Sequence, residues 1–436
     1  MDKNDKTKQL VMYNTLTKRE EQFVPRTPGV VKLFTCGPSV YQKQHLGNYR
    51  TYMFEDILQK YLEYLGFLVE RAINYTDIED KAIVQAEKEG KSIRDLTDPV
   101  IEDFNTNARQ LGIFLPTEIP RATESVVEAV QLIQLLIEAG IAYWHDGNVY
   151  YDPLKYPRFG EVFGLDMSRW PKKKVRFSKD TYRGKRWNLG DFILWHGTDE
   201  KAGEGVWDTE IGRGRPAWNI QDSAMIIKTL GPEIDIHTGG IDNVYRHHDY
   251  NRAVIEGAYG TELAHYWYHG EHLIVNGEKM SKSKGNTLYP EQVYKKGCEP
   301  KQVRFLLLYS HYRDKLNITE EFIGNCKKRL QRIRGKIGEA IETSHDGSTS
   351  TKAAPPQKKY YKSEQQRLDK LISELPILFQ TKMNDDLRAD EAVDGIEKVL
   401  TETLELKRKY GMSAEQAEKL RDELKQIDRV LGVFFS

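Results

Sequence analysis

Two short segments carry residue types suited to handling a chain of phosphates. The first, His45-Leu46-Gly47-Asn48, follows a short apolar run and opens a helical pattern. A small turn at a helix N-terminus lets backbone close on an anion, and the positive end of the helix dipole favours that anion. His and Asn side chains there supply further hydrogen-bond donors. Residues of this kind also serve as ordinary helix caps, so the segment alone has a structural reading too. The second segment is Lys279-Met280-Ser281-Lys282-Ser283-Lys284-Gly285-Asn286. A cationic loop of this composition can close over a triphosphate and stabilise charge as pyrophosphate leaves. Taken by itself, it reads equally as a solvated basic loop.

The elements around these segments have the order of a parallel α/β domain. Val30–Thr35 reads as a buried strand running into Cys36-Gly37-Pro38. Phe54, Ile57, Leu58, Tyr61, Leu62 and Leu65 recur at helical spacing, with Gly66 as the stop. Leu68–Ile73 reads as a second strand, ending in Asn74-Tyr75-Thr76-Asp77. Such sheets bind ligands beyond the carboxyl ends of their strands, so the segments after Thr35 and Ile73 face the expected site. Residues 124–139 form another amphipathic pattern, closed by Gly140. From there to about Pro216 the chain is aromatic, basic and turn-rich, including Lys172-Lys173-Lys174, and reads as an insertion between two halves of the sheet. A second α/β stretch covers 234–268, and the pattern turns helical after Lys301. Residues 344–359 have a linker composition. Beyond them 368–435 reads as a helical bundle, with Ser413-Ala414-Glu415-Gln416 as the capping box of its last helix.

Composition sets outer bounds. The 436 residues suggest two or three domains, and 39% hydrophobic with 30% charged residues is ordinary for a soluble protein. No signal peptide or membrane-length apolar run is visible, and the three cysteines (Cys36, Cys298, Cys326) are too scattered for a disulfide framework, so a cytoplasmic location is expected. Net charge is zero, which neither argues for nor excludes nucleic acid as a partner.

In this order, on an α/β chain and separated by an insertion, the two segments resemble the HIGH and KMSKS signatures of class I aminoacyl-tRNA synthetases. The resemblance narrows to the cysteinyl-tRNA synthetase family. It is carried by Phe34-Thr35-Cys36-Gly37-Pro38-Ser39-Val40-Tyr41, Asn74-Tyr75-Thr76-Asp77-Ile78-Glu79-Asp80-Lys81 and Gly214-Arg215-Pro216-Ala217-Trp218. Asp235-Ile236-His237-Thr238-Gly239-Gly240-Ile241-Asp242 and His247-His248 add to it. It extends from Tyr13-Asn14-Thr15-Leu16-Thr17 through His311-Tyr312-Arg313 to Met383-Asn384-Asp385-Asp386.

The resemblance implies a Rossmann-type parallel-sheet catalytic domain with an insertion, followed by an α-helical bundle. The corresponding partition is 1–118 and 214–268 for the two catalytic halves, 119–213 for the insertion, 269–343 for the KMSKS loop and stem-contact helices, 344–362 for the linker and 363–436 for the bundle. It further implies ATP with Mg²⁺, an amino acid (cysteine first) and tRNA as substrates, adenylate formation as the first step, and a monomer. His45, Asn48, Lys279 and Lys282 would be the catalytic residues. His237, Gly239 and Gly240 would join them around ATP. Cys36, Thr76, Trp218 and Asp242 would surround the amino acid, with Asp242 on its ammonium. Trp218 also reads as core, Thr76 as a helix cap and Asp242 as a turn residue.

Two departures stand against this pattern. In the family a zinc ion binds the substrate thiolate through a Cys after the first strand, a Cys following the Trp motif, a His, and a Glu four residues later. Here those positions hold Cys36, Asp222, His247 and Asn251. Cys36, Asp222 and His247 make an acceptable three-ligand zinc site by residue type. The other reading is a metal-free pocket in which Asp222 meets a polar or cationic side chain directly. The second departure is that the sequence stops where the family's bundle ends, so tRNA is expected to be read through its acceptor arm. A ligase acting on a small amine, as in mycothiol synthesis, shares these motifs, and a non-catalytic RNA- or partner-binding paralogue is a third reading. Lys327, Lys328, Arg329, Arg332 and Arg334 read either as a phosphate-tracking stripe or as a solvated helix face.

Overall fold

The computed structural model describes residues 9–169, 190–198, 204–281, 285–342 and 358–435. At its centre lies a parallel sheet of β1 (Val30–Thr35), β2 (Leu68–Ile73), β3 (Ile234–Gly240) and β4 (Ala264–Gly270), in spatial order β4-β3-β1-β2. Every residue of β3 is buried, as a strand covered on both faces requires. Strands β1 and β3 pair through Leu33–Ile236, Phe34–His237 and Thr35–Thr238. The order in which successive strands are added reverses between these two parallel strands, and the crevice beyond their carboxyl ends is where such sheets take ligands.

Helix α1 (Leu46–Tyr64) connects β1 to β2 and buries Phe54, Ile57, Leu58, Tyr61 and Leu62. Gly66, at φ 93°, takes the left-handed conformation that ends it, as its position in the sequence predicts. The inserted segment is more ordered than its turn-rich sequence suggests. It forms a five-stranded antiparallel sheet of Ala142–His145, Asn148–Tyr151, Phe192–Gly197, Gly212–Pro216 and Trp207–Thr209, in that spatial order. Its apolar face shares a core with Leu132 and Leu136 of the helix Val126–Glu138. That core also takes Ile220 and Ala224 of α2 (Trp218–Thr229) and Tyr250 and Val254 of α3 (Asp249–Tyr259). The helices that border the crevice are thus clamped between two sheets. Lys172-Lys173-Lys174 lies outside the described residues.

The bundle consists of α4 (Glu320–Ile341), α5 (Lys358–Asn384), α6 (Ala389–Tyr410) and α7 (Ala414–Leu431). Helix α5 begins inside the stretch expected as linker, most of which lies outside the described residues. The α7 capping box forms as expected, Gln416 N donating to Ser413 Oγ at 3.1 Å and Ser413 N to Gln416 Oε1 at 2.9 Å. Leu420, Leu424, Ile427, Val430 and Leu431 of α7 are buried, and α7 packs on α1. The fully buried Arg304 locks this contact. It donates to Asp56 Oδ2 at 2.8 Å, to the carbonyls of Leu111 and Gly112 at 3.1 and 3.0 Å, and to Val430 O at 3.2 Å.

The Met383-Asn384-Asp385-Asp386 signature is a second structural lock. Asp386 and Leu387 both sit at φ 55°, a left-handed conformation that costs non-glycine residues about 1 kcal/mol or more. The Asp386 carboxylate holds the turn by accepting from Tyr312 Oη and Arg313 Nε, each at 2.6 Å, and from Tyr13 N at 3.1 Å. Among the described residues no helix is long and apolar enough to cross a membrane.

Candidate active site

The crevice beyond β1 and β3 holds a cavity of about 530 Å³ that brings together Cys36, His45, Asn48, Thr76, Trp218, Asp222, Gly240, Asp242 and His247. A connected pocket, sharing His45, Asn48, Gly240 and Asp242, extends it toward Lys279 and Met280.

The end nearer α1 has the features of a phosphate site. His45 is the N-cap of α1, its Nδ1 accepting from Asn48 N at 3.3 Å, and Asn48 Oδ1 accepts from His45 N at 3.0 Å. This reciprocal cap fixes the neutral tautomer. With Nδ1 accepting a backbone N–H, the ring proton resides on Nε2, which makes that atom a donor. The structural and functional readings of this motif are therefore compatible, because the cap presets the donor. Gly47 admits a close approach, since a β-carbon there would stand 2.6 Å from the terminal methyl of Met280, which would have to shift. Leu46 N also donates to Leu288 O at 2.7 Å. The lysine-rich loop is closed on itself through Asn286, which accepts from Ser281 N at 2.8 Å and donates to Lys279 O at 3.2 Å. Lys279 pairs with Ile274 in a short antiparallel ladder and is exposed at the pocket. Lys282 lies outside the described residues.

The other end is polar and largely closed. Asp222, 5% exposed, accepts from Asn74 Nδ2 at 2.9 Å and from the Cys36 thiol at 3.5 Å, one on each oxygen. Asn74 Oδ1 in turn accepts from Gly37 N at 2.8 Å, which ties the ends of β1 and β2 to α2. Trp218, one turn before Asp222 on α2, lies against the His247 ring with centroids 4.7 Å apart. Burial, reinforced by Asp222, pushes the Cys36 thiol well above its usual range. Burial lowers His247, with Asp222 opposing.

Zinc requires deprotonated ligands gathered about one ion. Cys36 Sγ and Asp222 Oδ2 stand 3.5 Å apart, close to the roughly 3.5 Å separation of sulfur and oxygen on tetrahedral zinc. The remaining contacts do not follow that plan. Asn74 occupies the second Asp222 oxygen, and Asn243 Nδ2 donates to Cys36 Sγ at 3.7 Å. Asn251 turns away altogether, its oxygen accepting from Ser223 Oγ and its nitrogen meeting His237 Nε2, both at 3.3 Å. Among the described residues no group of three or more His, Cys, Asp or Glu is placed to hold a metal ion. As disposed, these residues do not assemble a three-ligand zinc site.

Packing keeps two further expected site residues away from the cavity lining. His237, expected against ATP, is fully buried and stacks on Trp267 at 4.5 Å, because its strand is covered on both faces. Gly239 is likewise covered, facing His248, so of this motif Gly240 and Asp242 reach the cavity. The basic residues of α4 divide between the bundle and solvent, with Lys328 and much of Arg332 exposed. Arg329 and Arg332 pair with Glu397 of α6, and Arg334 donates to Val433 O. Asn74, Glu79, Arg246 and Glu271 also belong to the site without being singled out in the sequence. Glu79, Arg246 and Glu271 line it, and Asn74 holds Asp222. The polar end of a buried strand was the available signal for Asn74. Arg246 sits at φ 74° inside a kinked turn, which no sequence pattern announces.

Comparison with known proteins agrees with this geometry. The family description "tRNA synthetases class I (C) catalytic domain" matches residues 22–328. A cysteine–tRNA ligase of Brachyspira hyodysenteriae is 40% identical over 331 residues, covering 76% of this chain and 69% of that protein. One of Methanosarcina acetivorans is 37% identical over 428 residues, 98% of this chain and 87% of that one. Among solved structures, the Mycobacterium tuberculosis methionyl-tRNA synthetase in complex with methionyl-adenylate superposes with a TM-score of 0.62 at 14% identity, over 93% of this chain and 90% of that chain. At that identity the likeness is one of fold.

Proposed function

The chain belongs to the class I (C) tRNA synthetases, and from that premise we propose that it activates cysteine with ATP and transfers the acyl group to tRNA. It is an ATP-dependent aminoacyl-tRNA ligase. The reaction needs no protein nucleophile. An oxygen of the amino-acid carboxylate attacks the α-phosphorus of ATP, pyrophosphate leaves, and the acyl-adenylate remains. A terminal ribose hydroxyl of the tRNA acceptor arm then attacks the acyl carbon and AMP departs.

Catalysis by such a site is placement and charge neutralisation. His45 Nε2 and Asn48 donate to the phosphates at the positive end of α1, and Lys279 and Lys282 neutralise the departing pyrophosphate. Gly240 lets the nucleotide approach the end of β3. Thr76 and Trp218 flank the amino acid, and Asp242 accepts from its ammonium. Mg²⁺ enters as part of the ATP substrate. The observation that carries this reading is the junction of the two phosphate-handling segments at one crevice, where Met280 closes over Gly47 beside the His45 cap.

Amino-acid-dependent ATP–pyrophosphate exchange across the twenty amino acids, followed by charging of tRNA, tests the proposal. Exchange with cysteine and acylation of tRNA are expected. Lys279→Ala should lower exchange by about 10²-fold or more with the fold intact by circular dichroism. Absence of exchange with every amino acid, tRNA present, overturns it.

A further inference from the structure

At the closed end of the cleft a carboxylate stands where the family pattern has a second zinc-binding cysteine. Asp222 is buried on α2, one turn beyond Trp218, and its two oxygens each accept one hydrogen bond, from Asn74 and from Cys36. A carboxylate offers about four acceptor positions, so each oxygen keeps one more. What this floor can take from a ligand is a donated proton. An anionic side chain would face Asp222 directly, and an apolar one would leave the buried carboxylate short of a partner. The contact is already demonstrated within the protein, because the Cys36 thiol donates to the same group.

We propose that Asp222 itself reads the substrate side chain, without a metal ion. The pocket then accepts small α-amino acids bearing a hydrogen-bond donor on the β-carbon, whether thiol, hydroxyl or ammonium. This rests on the amino-acid-activating reading above and changes what sets its selectivity. A metal that demands a thiolate excludes a hydroxyl strongly. A carboxylate that accepts from either separates the two weakly and instead disfavours a side chain with no donor.

The experiment is ATP–pyrophosphate exchange by the full chain with L-cysteine, L-serine, L-2,3-diaminopropionate and L-alanine, with and without a zinc-selective chelator. Zinc content is measured by elemental analysis on the native protein and on Asp222→Cys. Expected are chelator-insensitive exchange, kcat/KM for serine within about tenfold of cysteine, and alanine at least about tenfold below both. Asp222→Cys should acquire zinc while the native protein holds substoichiometric amounts. Asp222→Asn, which keeps the volume and removes the charge, should lose activity with 2,3-diaminopropionate first. One zinc per native chain with chelator-abolished cysteine exchange overturns the inference, as does exclusion of serine by about a thousandfold. Either result leaves the synthetase reading standing, whereas silence with all amino acids removes both.

Discussion

Met280 rests on Gly47, so closely that no β-carbon fits at residue 47 without moving the methionine methyl. The contact joins the lysine-rich loop to the N-terminus of α1, and Leu288 N supports it by approaching Met280 Sδ at 3.5 Å. The Met280 end of the loop is therefore seated by packing.

Gly47→Ala should unseat that loop. A β-carbon at 2.6 Å from the methyl forces Met280 to shift, so KM for ATP should rise by about tenfold or more with only a small change in unfolding midpoint. The double variant Gly47→Ala with Met280→Ala should recover part of the loss. Steady-state exchange kinetics on the four proteins of the cycle decide it, because independent effects would simply add.

His45→Asn separates capping from chemistry. Asn is a good N-cap, so stability should change by less than about 0.5 kcal/mol in urea unfolding. Exchange activity should nevertheless fall by about 10-fold or more, because the Nε2 donor is gone. A variant as active as the native protein would reduce His45 to a cap.

The Arg304–Asp56 pair lies wholly inside the contact between α1 and α7. Arg304→Met removes the cation and leaves a buried carboxylate whose remaining partners are Lys60 Nζ at 2.8 Å and Phe114 N at 2.7 Å. A loss of about 3–5 kcal/mol is expected by equilibrium denaturation, with the bundle contact opening first. Hydrogen exchange of α7 amides measures that order.

Acid should destabilise this fold through three buried histidines. His248 Nδ1 and His269 Nε2 are 2.7 Å apart, and His237 packs on His248 at 4.3 Å between ring centroids. Burial holds His269 down to about 3 and pushes His237 and His248 well below the usual histidine range. The unfolded chain binds these protons from about pH 6.5 downward and the folded chain does not. Their contribution is therefore nearly complete about one pH unit above 6.5 and is lost progressively as pH falls through and below that value. The slope approaches about 1.4 kcal/mol per pH unit for each histidine. The buried carboxyls of Glu55 and Asp249, raised to about 8 and 7, act in the opposite direction. The histidine part is therefore read as the difference between native protein and His269→Asn. Urea midpoints of the two at pH 7.5, 6.5 and 5.5 should converge slightly over the first interval and more over the second.

Much of the architecture was legible along the chain. Strands β1 and β2 and helix α1 follow from apolar periodicity and Gly66, and the α7 cap follows from Ser413 and Gln416. Both phosphate-handling segments were visible as residue types. The antiparallel order within the insertion was hidden, because its short strands are separated by turns and only their pairing makes them strands. The basic residues of α4 were ambiguous for a related reason. Their partner Glu397 lies on α6, brought near by the bundle.

The sequence by itself determined the α/β class, the residue types of His45, Asn48 and the lysine loop, and the replacement of two expected zinc ligands by Asp222 and Asn251. Only the tertiary structure decided where those groups point. His237 and Asn251 meet each other in the core because β3 is buried on both faces, so neither reaches the cavity. Asp222 remains at the cavity with Asn74 and Cys36 on its two oxygens. Residue type limits what a side chain can bind. Burial and the partners supplied by distant strands fix which of those options is open.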